Sequence, residues 1–277
     1  MKICPICRRE YESADTGFCA VDGQPLVEQA NVVTPLQPAA QPAGAPFSAS
    51  LALAFFAHRF IEIMPPEKSG TLSFCQPNVR LNSWQLVTEL PIIAFWYLYE
   101  NNCIRFTPVI NAGVFTNDPT LVIEANPASQ ASFPALEYDF WEIIKRSPPG
   151  VTVETVFKQF LGGRNSRPED NLIKRLIQWM IQLGYGQPDN SPKPFFRMSG
   201  EIQMFEKFAP DCRRIAAQEP AAQIIHRRWM KFRAEQPDLV YYLFDDVVNA
   251  AINRVGNSQI HSSLYWSAES FRRYGKT

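Results

Sequence analysis

The chain has few of the features that catalytic and membrane functions need. It contains only three histidines in 277 residues, and none lies at metal-ligand spacing from another or beside a nucleophile. Gly162-Gly163 lacks the flanking glycines and lysine of a phosphate-binding loop. The longest apolar run begins at Leu51 and ends before His58-Arg59, well short of the ~20 residues that a membrane span needs. The sequence therefore favours a protein that is neither an enzyme nor a transmembrane protein.

The charges of the chain balance. Lys plus Arg and Asp plus Glu each number 27, so the net charge is zero. A neutral chain has no general attraction for nucleic acid or anionic lipid, and binding to either requires a local patch. Hydrophobic residues are 46% of the chain, with 20 phenylalanines, so a sizeable core can form. The length predicts one large or two ordinary domains beside any small module.

The N-terminus carries two ligand knuckles, Cys4-Pro-Ile-Cys7 and Phe18-Cys19-Ala-Val-Asp22-Gly23. Knuckles of this kind bring four ligands to one tetrahedral metal, and a carboxylate can replace a thiolate on zinc. The pattern resembles the short zinc ribbon at the N-termini of many prokaryotic proteins. The predicted ligands of a structural Zn²⁺, in a ribbon over residues 1–27, are Cys4, Cys7, Cys19 and Asp22.

The other cysteines, Cys75, Cys103 and Cys212, lie among apolar neighbours. We expect them to be free thiols in or near the core. Free thiols and thiolate zinc ligands both favour a reducing compartment. Met1-Lys2 leads directly into the first knuckle with no apolar leader, so the sequence predicts a cytoplasmic protein.

The composition divides the chain into successive segments. Residues 28–50 are rich in Ala, Pro and Gln and nearly uncharged, which predicts a flexible linker. The sequence of residues 51–133 predicts a helix or strand, then helices over Trp84–Leu90 and Pro91–Glu100, then two strands. We interpret this unit as a degenerate winged helix. The predicted fold class is mainly α, an α+β body tethered to a zinc ribbon.

A second unit, residues 134–199, has the element order of a winged helix. Leu136–Arg146 is amphipathic, Thr152 can cap a short helix, and a long helix ends at Gly184. A hairpin over residues 185–198 completes the order. Residues 200–256 predict C-terminal helices that begin at Pro220 and Pro237, and residues 257–277 form a polar tail. The second of these helices carries an apolar stripe, formed by Val240, Leu243, Phe244, Val247, Val248, Ala251 and Val255.

The order of elements in the body is also similar to that of Golgi phosphoprotein 3-like proteins. The similarity lies in a helical hairpin that ends in a strand (LVTELPIIAFWYLYENNCIRF), a three-helix unit that ends at Leu183-Gly184-Tyr185, and a helical tail. That family includes prokaryotic members, and its eukaryotic members bind phosphoinositides at membranes. The resemblance concerns architecture and assigns no site residue here.

Two polar surfaces are candidate binding sites. The long helix of the second unit presents a stripe without acidic residues, preceded by two arginines, and such side chains can read base edges in DNA. These residues are Arg164, Arg167, Asn171, Lys174, Arg175, Gln178 and Gln182. A later helix presents Arg227, Arg228 and Lys231, with Ile224, Ile225, Trp229 and Phe232 expected inside. Each surface also fits an ordinary solvated helix face, as do Asp245-Asp246 and the acids Glu137, Asp139 and Glu142.

These features predict a non-enzymatic adaptor or regulator that binds another protein. A winged-helix transcriptional regulator that binds DNA is the alternative, and an enzyme whose site lacks a sequence signature is the third hypothesis. Contact with a membrane surface through the basic patch is less favoured, because the chain as a whole is neutral.

The zinc hypothesis predicts about one zinc ion per chain, because the two knuckles supply a single set of four ligands. Cys4→Ser should remove the metal and unfold the ribbon, while the helical circular-dichroism signal of the body stays unchanged. Elemental analysis and circular dichroism measure the two effects. Carefully prepared protein without zinc would exclude the site.

Overall fold

A computed structural model describes residues 2–3, 10–11, 27–28, 47–61, 63–64, 71–73, 75–110, 119–129, 133–162, 168–188 and 208–255. The chain divides into two compact units, residues 1–43 and residues 44–277. Each unit is described by itself.

The N-terminal unit contains a small antiparallel sheet. Its strands are β1 (Lys2–Ile3), β2 (Glu10–Tyr11) and β3 (Val27–Glu28), and β1 lies in the centre. Lys2 pairs with both Tyr11 and Glu28, so strand pairing continues one residue past the predicted end of the ribbon at residue 27. The four predicted zinc ligands lie outside the described residues.

The second unit is mainly helical, as predicted. Its helices are α1 (Ala49–Phe55), α2 (Ser83–Glu100), α3 (Leu136–Arg146), α4 (Val153–Leu161), α5 (Pro168–Gln182), α6 (Cys212–Ala216), α7 (Glu219–Glu235) and α8 (Pro237–Val255). Its strands are β4 (Ile63–Met64), β5 (Thr71–Ser73), β6 (Gln76–Leu81), β7 (Ile104–Ile110), β8 (Pro119–Ala125), β9 (Gly186–Pro188) and β10 (Phe208–Pro210). They form three small antiparallel sheets, β4-β6-β5, β7-β8 and β9-β10.

Helix α2 is the centre of the core. All side chains from residue 90 to residue 98 are buried, whatever side of the helix they lie on. Phe95 stacks on Phe140 of α3 at 4.4 Å between ring centroids, and Trp96 lies 5.2 Å from Trp229 of α7. α1 and α8 also pack against α2. A helix that is apolar all round is stable in water only when neighbours cover every side.

The predicted break at Pro91 is wrong, because Ser83–Glu100 is one continuous helix. A proline inside a helix removes one backbone hydrogen bond and costs ~3 kcal/mol or more. Burial of a large aliphatic or aromatic side chain contributes ~1.5–3 kcal/mol, and both Ile92 and Phe95 are fully buried. Packing on both sides of Pro91 therefore outweighs its cost.

The predicted linker, residues 28–50, extends too far. Phe47 is buried and stacks on Phe55, and the Ser48 side chain accepts a hydrogen bond from the backbone N–H of Leu51 at the start of α1. Glu137, expected on a polar helix face, is fully buried and accepts hydrogen bonds from the N–H (2.7 Å) and hydroxyl (2.5 Å) of Ser50. The body therefore begins no later than residue 47.

Asp246, expected in a solvated patch, is also buried. Its carboxylate accepts hydrogen bonds from the Thr120 hydroxyl and the Leu121 N–H, each at 2.9 Å, and joins α8 to β8. Burial raises its pKa to about 6. Of the adjacent residues Asp245 and Asp246, only Asp246 points into the core, since neighbouring residues on a helix point about 100° apart.

The three helices predicted within residues 134–199 are present as α3, α4 and α5. Thr152 caps α4 by accepting a hydrogen bond from the Thr155 N–H, and Gly184 follows α5 with a φ of 73°. β9 pairs with β10 at residues 208–210, beyond the predicted end of the unit at residue 199. The second arm of the predicted hairpin, up to residue 198, lies outside the described residues. Phe208 of β10 is buried in the core.

Two of the predicted free thiols are wrong. Cys75 and Cys212 form a disulfide across 137 residues, with their Cα atoms 5.4 Å apart, and Cys103 is a buried free thiol. Sequence spacing carried no sign of this pairing, because the fold alone brings the two residues together. One of the two cysteine arguments for a reducing compartment therefore fails.

The C-terminal helices agree with their predictions. α7 and α8 begin beside Pro220 and Pro237, and the predicted apolar stripe of α8 is buried at Val240, Leu243, Phe244, Val247, Val248 and Ala251. The predicted tail, residues 257–277, lies outside the described residues. Within the described ranges, no helix has both the length and the apolar character that crossing a bilayer requires.

The buried carboxyl group of Glu89 should make the folded protein less stable as pH rises. Its side chain is 1% exposed, and burial raises its pKa to about 7, although Arg233 lies 3.8 Å away. The folded state therefore binds more protons than the unfolded state between pH 4.5 and 7, and this contribution to stability is lost as pH rises through that window. The difference in free energy of unfolding between Glu89→Gln and wild type should shift in favour of the variant by about 1–3 kcal/mol from pH 5 to pH 8. Urea unfolding at the two pH values measures it.

Glu142→Gln is the matched control. A hydrogen bond from Lys145 lowers the pKa of Glu142, so this carboxylate stays ionised at both pH values and its variant should show no such gain. Equal effects of Glu89→Gln at pH 5 and pH 8 would contradict the assignment.

Candidate functional site

An open groove of about 550 Å³ lies where α3, α4 and α5 meet. Helix α3 supplies Tyr138, Asp139, Glu142, Ile143 and Arg146. Helices α4 and α5 supply Gln159, Phe160, Asn171, Lys174, Arg175 and Gln178. The groove thus combines charged, amide and partly exposed apolar side chains.

The groove contains most of the predicted stripe of α5. Asn171, Lys174, Arg175 and Gln178 all line it, because residues three and four apart on a helix share a face. Gln182 is exposed further along α5 and does not line the groove. Arg164 and Arg167 lie outside the described residues.

Arg175 is not available to read a base edge in this structure. Its guanidinium donates to both carboxylate oxygens of Asp139, at 2.7 and 2.5 Å, and the Trp179 indole N–H donates to the same carboxylate at 2.9 Å. Hydrogen bonding to Asp139 raises the pKa of Arg175. Asp139, expected on a solvated face, is buried and ties α3 to α5.

Some of the other polar side chains of the groove form hydrogen bonds or ion pairs within the protein, and others are exposed. Glu142 binds Lys145 and Arg146 of its own helix. The Asn171 amide donates to the Leu161 carbonyl at 2.5 Å, and Gln178 accepts from Arg175 at 3.3 Å. Lys174 is exposed. The groove therefore contains two carboxylates and three cations, a surplus of one positive charge.

The basic patch on α7 is more engaged than predicted. Arg228 donates to Glu100 at 2.9 Å, and Lys231 lies 3.7 Å from Glu235. Arg227 is exposed. Ile225, Trp229 and Phe232 are buried as expected, but Ile224 is 52% exposed, so its expected inward position is wrong. Trp229 lies at the centre of the buried face of α7, and Ile224 lies on the opposite, exposed side of the helix.

The strongly perturbed acids do not converge on the groove. Burial raises the pKa of Glu89 and Glu137 to about 7, and these residues lie on α2 and α3, whereas Asp246 lies on α8. Burial also lowers the pKa values of His58 and His226. Among the residues that the structure describes, no three His, Cys, Asp or Glu side chains form a group able to hold a metal ion.

The sequence did not predict that two carboxylates of α3, Asp139 and Glu142, line the groove. Sequence reasoning treated both as solvated charges near a helix start, where they suit the helix dipole. The available signal was the position of Asp139 one residue before Phe140, on the edge of the apolar stripe of α3. A polar residue at such an edge commonly joins two packed helices.

A comparison of the chain with protein-family models, curated proteins and solved structures finds no match. The resemblances to zinc ribbons and to Golgi phosphoprotein 3-like proteins therefore remain predictions.

The bond network around Asp139 predicts a stability effect. Asp139→Ala leaves the Trp179 N–H and the Arg175 guanidinium without their shared acceptor, and should lower the free energy of unfolding by about 1–3 kcal/mol. Glu142→Ala, which breaks only surface ion pairs, should cost less than about 1 kcal/mol. Urea unfolding measures both. Equal losses would show that Asp139 does not join the helices.

Proposed function

We propose that the protein is a non-enzymatic adaptor or regulator that binds a protein partner through the α3–α5 groove. A zinc ribbon that uses Cys4, Cys7, Cys19 and Asp22 would be a second, tethered module. The cytoplasm is the compartment we propose, because thiolate zinc ligands persist in a reducing environment.

The observation that carries the proposal is the sequestration of Arg175 by Asp139 inside an open groove. A DNA-reading helix needs its arginine free to reach base edges or phosphates. Here the arginine is paired with Asp139, and Glu142 places a second carboxylate in the groove. Mixed charge of this kind is common on protein-binding surfaces, where charges set specificity.

The chemistry of the groove suits an acidic segment that carries an apolar anchor. Lys174 and the 79% exposed side chain of Arg146 supply positive charge, and amides such as Gln159 can pair with a peptide backbone. Tyr138 is 39% exposed, and Ile143 and Phe160 are half-buried, so an apolar side chain has a surface to cover. An acidic–aromatic peptide matches all three properties.

DNA binding by a winged helix is the second candidate. The order of α3, α4, α5 and the β9-β10 hairpin supports it, and Lys174, Gln178 and Gln182 are exposed on α5. These are the residues of the predicted stripe that remain accessible. Direct binding experiments separate the two hypotheses.

The test uses fluorescent ligands and the full chain. A short acidic–aromatic peptide should bind about tenfold more tightly than its lysine-substituted counterpart, because the groove carries one surplus positive charge. Lys174→Glu should weaken that binding about tenfold, a loss of ~1.4 kcal/mol, because it reverses an exposed positive charge of the groove. Fluorescence polarisation measures each affinity.

Lys231→Glu is the matched control, since Lys231 is an exposed lysine on α7, away from the groove. It should leave peptide binding unchanged. Stronger binding to a duplex than to the peptide, falling steeply with salt and lost in Lys174→Glu, would support the DNA-binding alternative and contradict the proposal.

A further inference from the structure

The Cys75–Cys212 disulfide joins two segments that lie 137 residues apart in the sequence. Cys75 lies in the tight turn between β5 and β6, where its φ is 55°, and Cys212 is the first residue of α6. The bond therefore fastens the β5-β6 hairpin to the segment formed by β10 and α6.

The two cysteine residues differ in their exposure. The Cys212 residue is exposed, whereas Cys75 is half-buried and packs against the core. Exposed Arg213 and Arg214 follow Cys212 directly, and Asp211 precedes it, which leaves one surplus positive charge. An anionic thiolate in solution is therefore attracted to the exposed Cys212 residue.

We propose that this disulfide is a reversible thiol-exchange site, entered at Cys212, whose co-reactant is a low-molecular-weight thiol such as glutathione or the dithiol of a protein reductase. The attacking thiolate bonds to the Cys212 sulfur, the S–S bond breaks, and Cys75 leaves as a thiolate that takes up a proton. A second thiolate attacks the mixed disulfide, and Cys212 leaves and is protonated. Two thiols are oxidised to one external disulfide, and two electrons reduce the protein.

Reduction should release the hairpin more than α6. Helix α6 and β10 keep other contacts: Phe208 and Ile215 are buried, and Arg214 lies 5.3 Å over the Tyr185 ring. The Asp211 N–H also donates to the Tyr185 carbonyl at 2.7 Å. Reduction removes the covalent bond between the turn at Cys75 and this segment, so we expect the increase in hydrogen exchange over residues 71–81.

Cys103 provides an internal control for the chemistry. It is a buried free thiol, burial raises its pKa, and its sulfur accepts a hydrogen bond from the Ser129 hydroxyl at 3.1 Å. Reaction requires the thiolate and access to it, so Cys103 should stay unreactive in the folded chain.

The experiment equilibrates the full chain in glutathione buffers of graded reduced-to-oxidised ratio, followed by rapid alkylation and peptide-level mass spectrometry. Cys75 and Cys212 should become alkylated together, in a two-electron transition, while Cys103 is labelled only after denaturation. Two results would overturn the proposal: both thiols free in every buffer, or a disulfide that resists excess dithiol until the chain unfolds.

Cysteine variants distinguish the effect of breaking the disulfide from a general loss of folding. The wild-type Tm should fall by roughly 5–10 °C on reduction, with faster hydrogen exchange over residues 71–81. Cys212→Ser should show the lower Tm in both buffers, and Cys103→Ser should behave as wild type. A wild-type Tm and hydrogen exchange that are the same in both buffers, despite cleavage of the bond, would contradict the structural role of the link.

Discussion

The complete burial of α2 is the constraint on which the rest of the body depends. From residue 90 to residue 98 this helix has no polar face, so every side must be covered by another element. α1, α3, α7 and α8 supply that cover. Burial of each large side chain contributes ~1.5–3 kcal/mol, which explains why one proline inside the helix is tolerated. The positions of the surrounding helices follow from this requirement.

The groove is a consequence of the same packing. The inner face of α3 lies on α2 through Phe140, and this contact turns Tyr138 and Glu142 outward. Asp139 lies between the two faces, and its bonds to Arg175 and Trp179 fix α5 beside α3. A change in the core at Phe140 would therefore move the wall of the groove, even though Phe140 does not line it.

Periodicity and capping residues predicted the helices well. The apolar stripe of α8, the Thr152 cap and the stop at Gly184 are local signals, and the structure shows each one. Predictions failed where distant residues meet. Asp246 is buried because Thr120 offers a hydroxyl from 126 residues away, and Cys75 finds Cys212 across 137 residues. No pattern within a short window of sequence contains that information.

The same limit applied to the candidate site. The polar stripe of α5 could be predicted from spacing, and most of its described members do line the groove. The role of Arg175 could not, because its partner Asp139 lies 36 residues earlier on another helix. An arginine on a polar stripe has the same sequence signature whether it binds a ligand or a neighbouring helix, so only the packed structure separates the two.

We propose that a protein partner binds in the α3–α5 groove. Hydrogen exchange of the full chain, measured with and without a saturating acidic–aromatic peptide, tests it directly. We predict slower exchange in α3 and α5, with α7 unchanged. Protection confined to α7, or protection of α5 by duplex DNA and not by the peptide, would contradict the account.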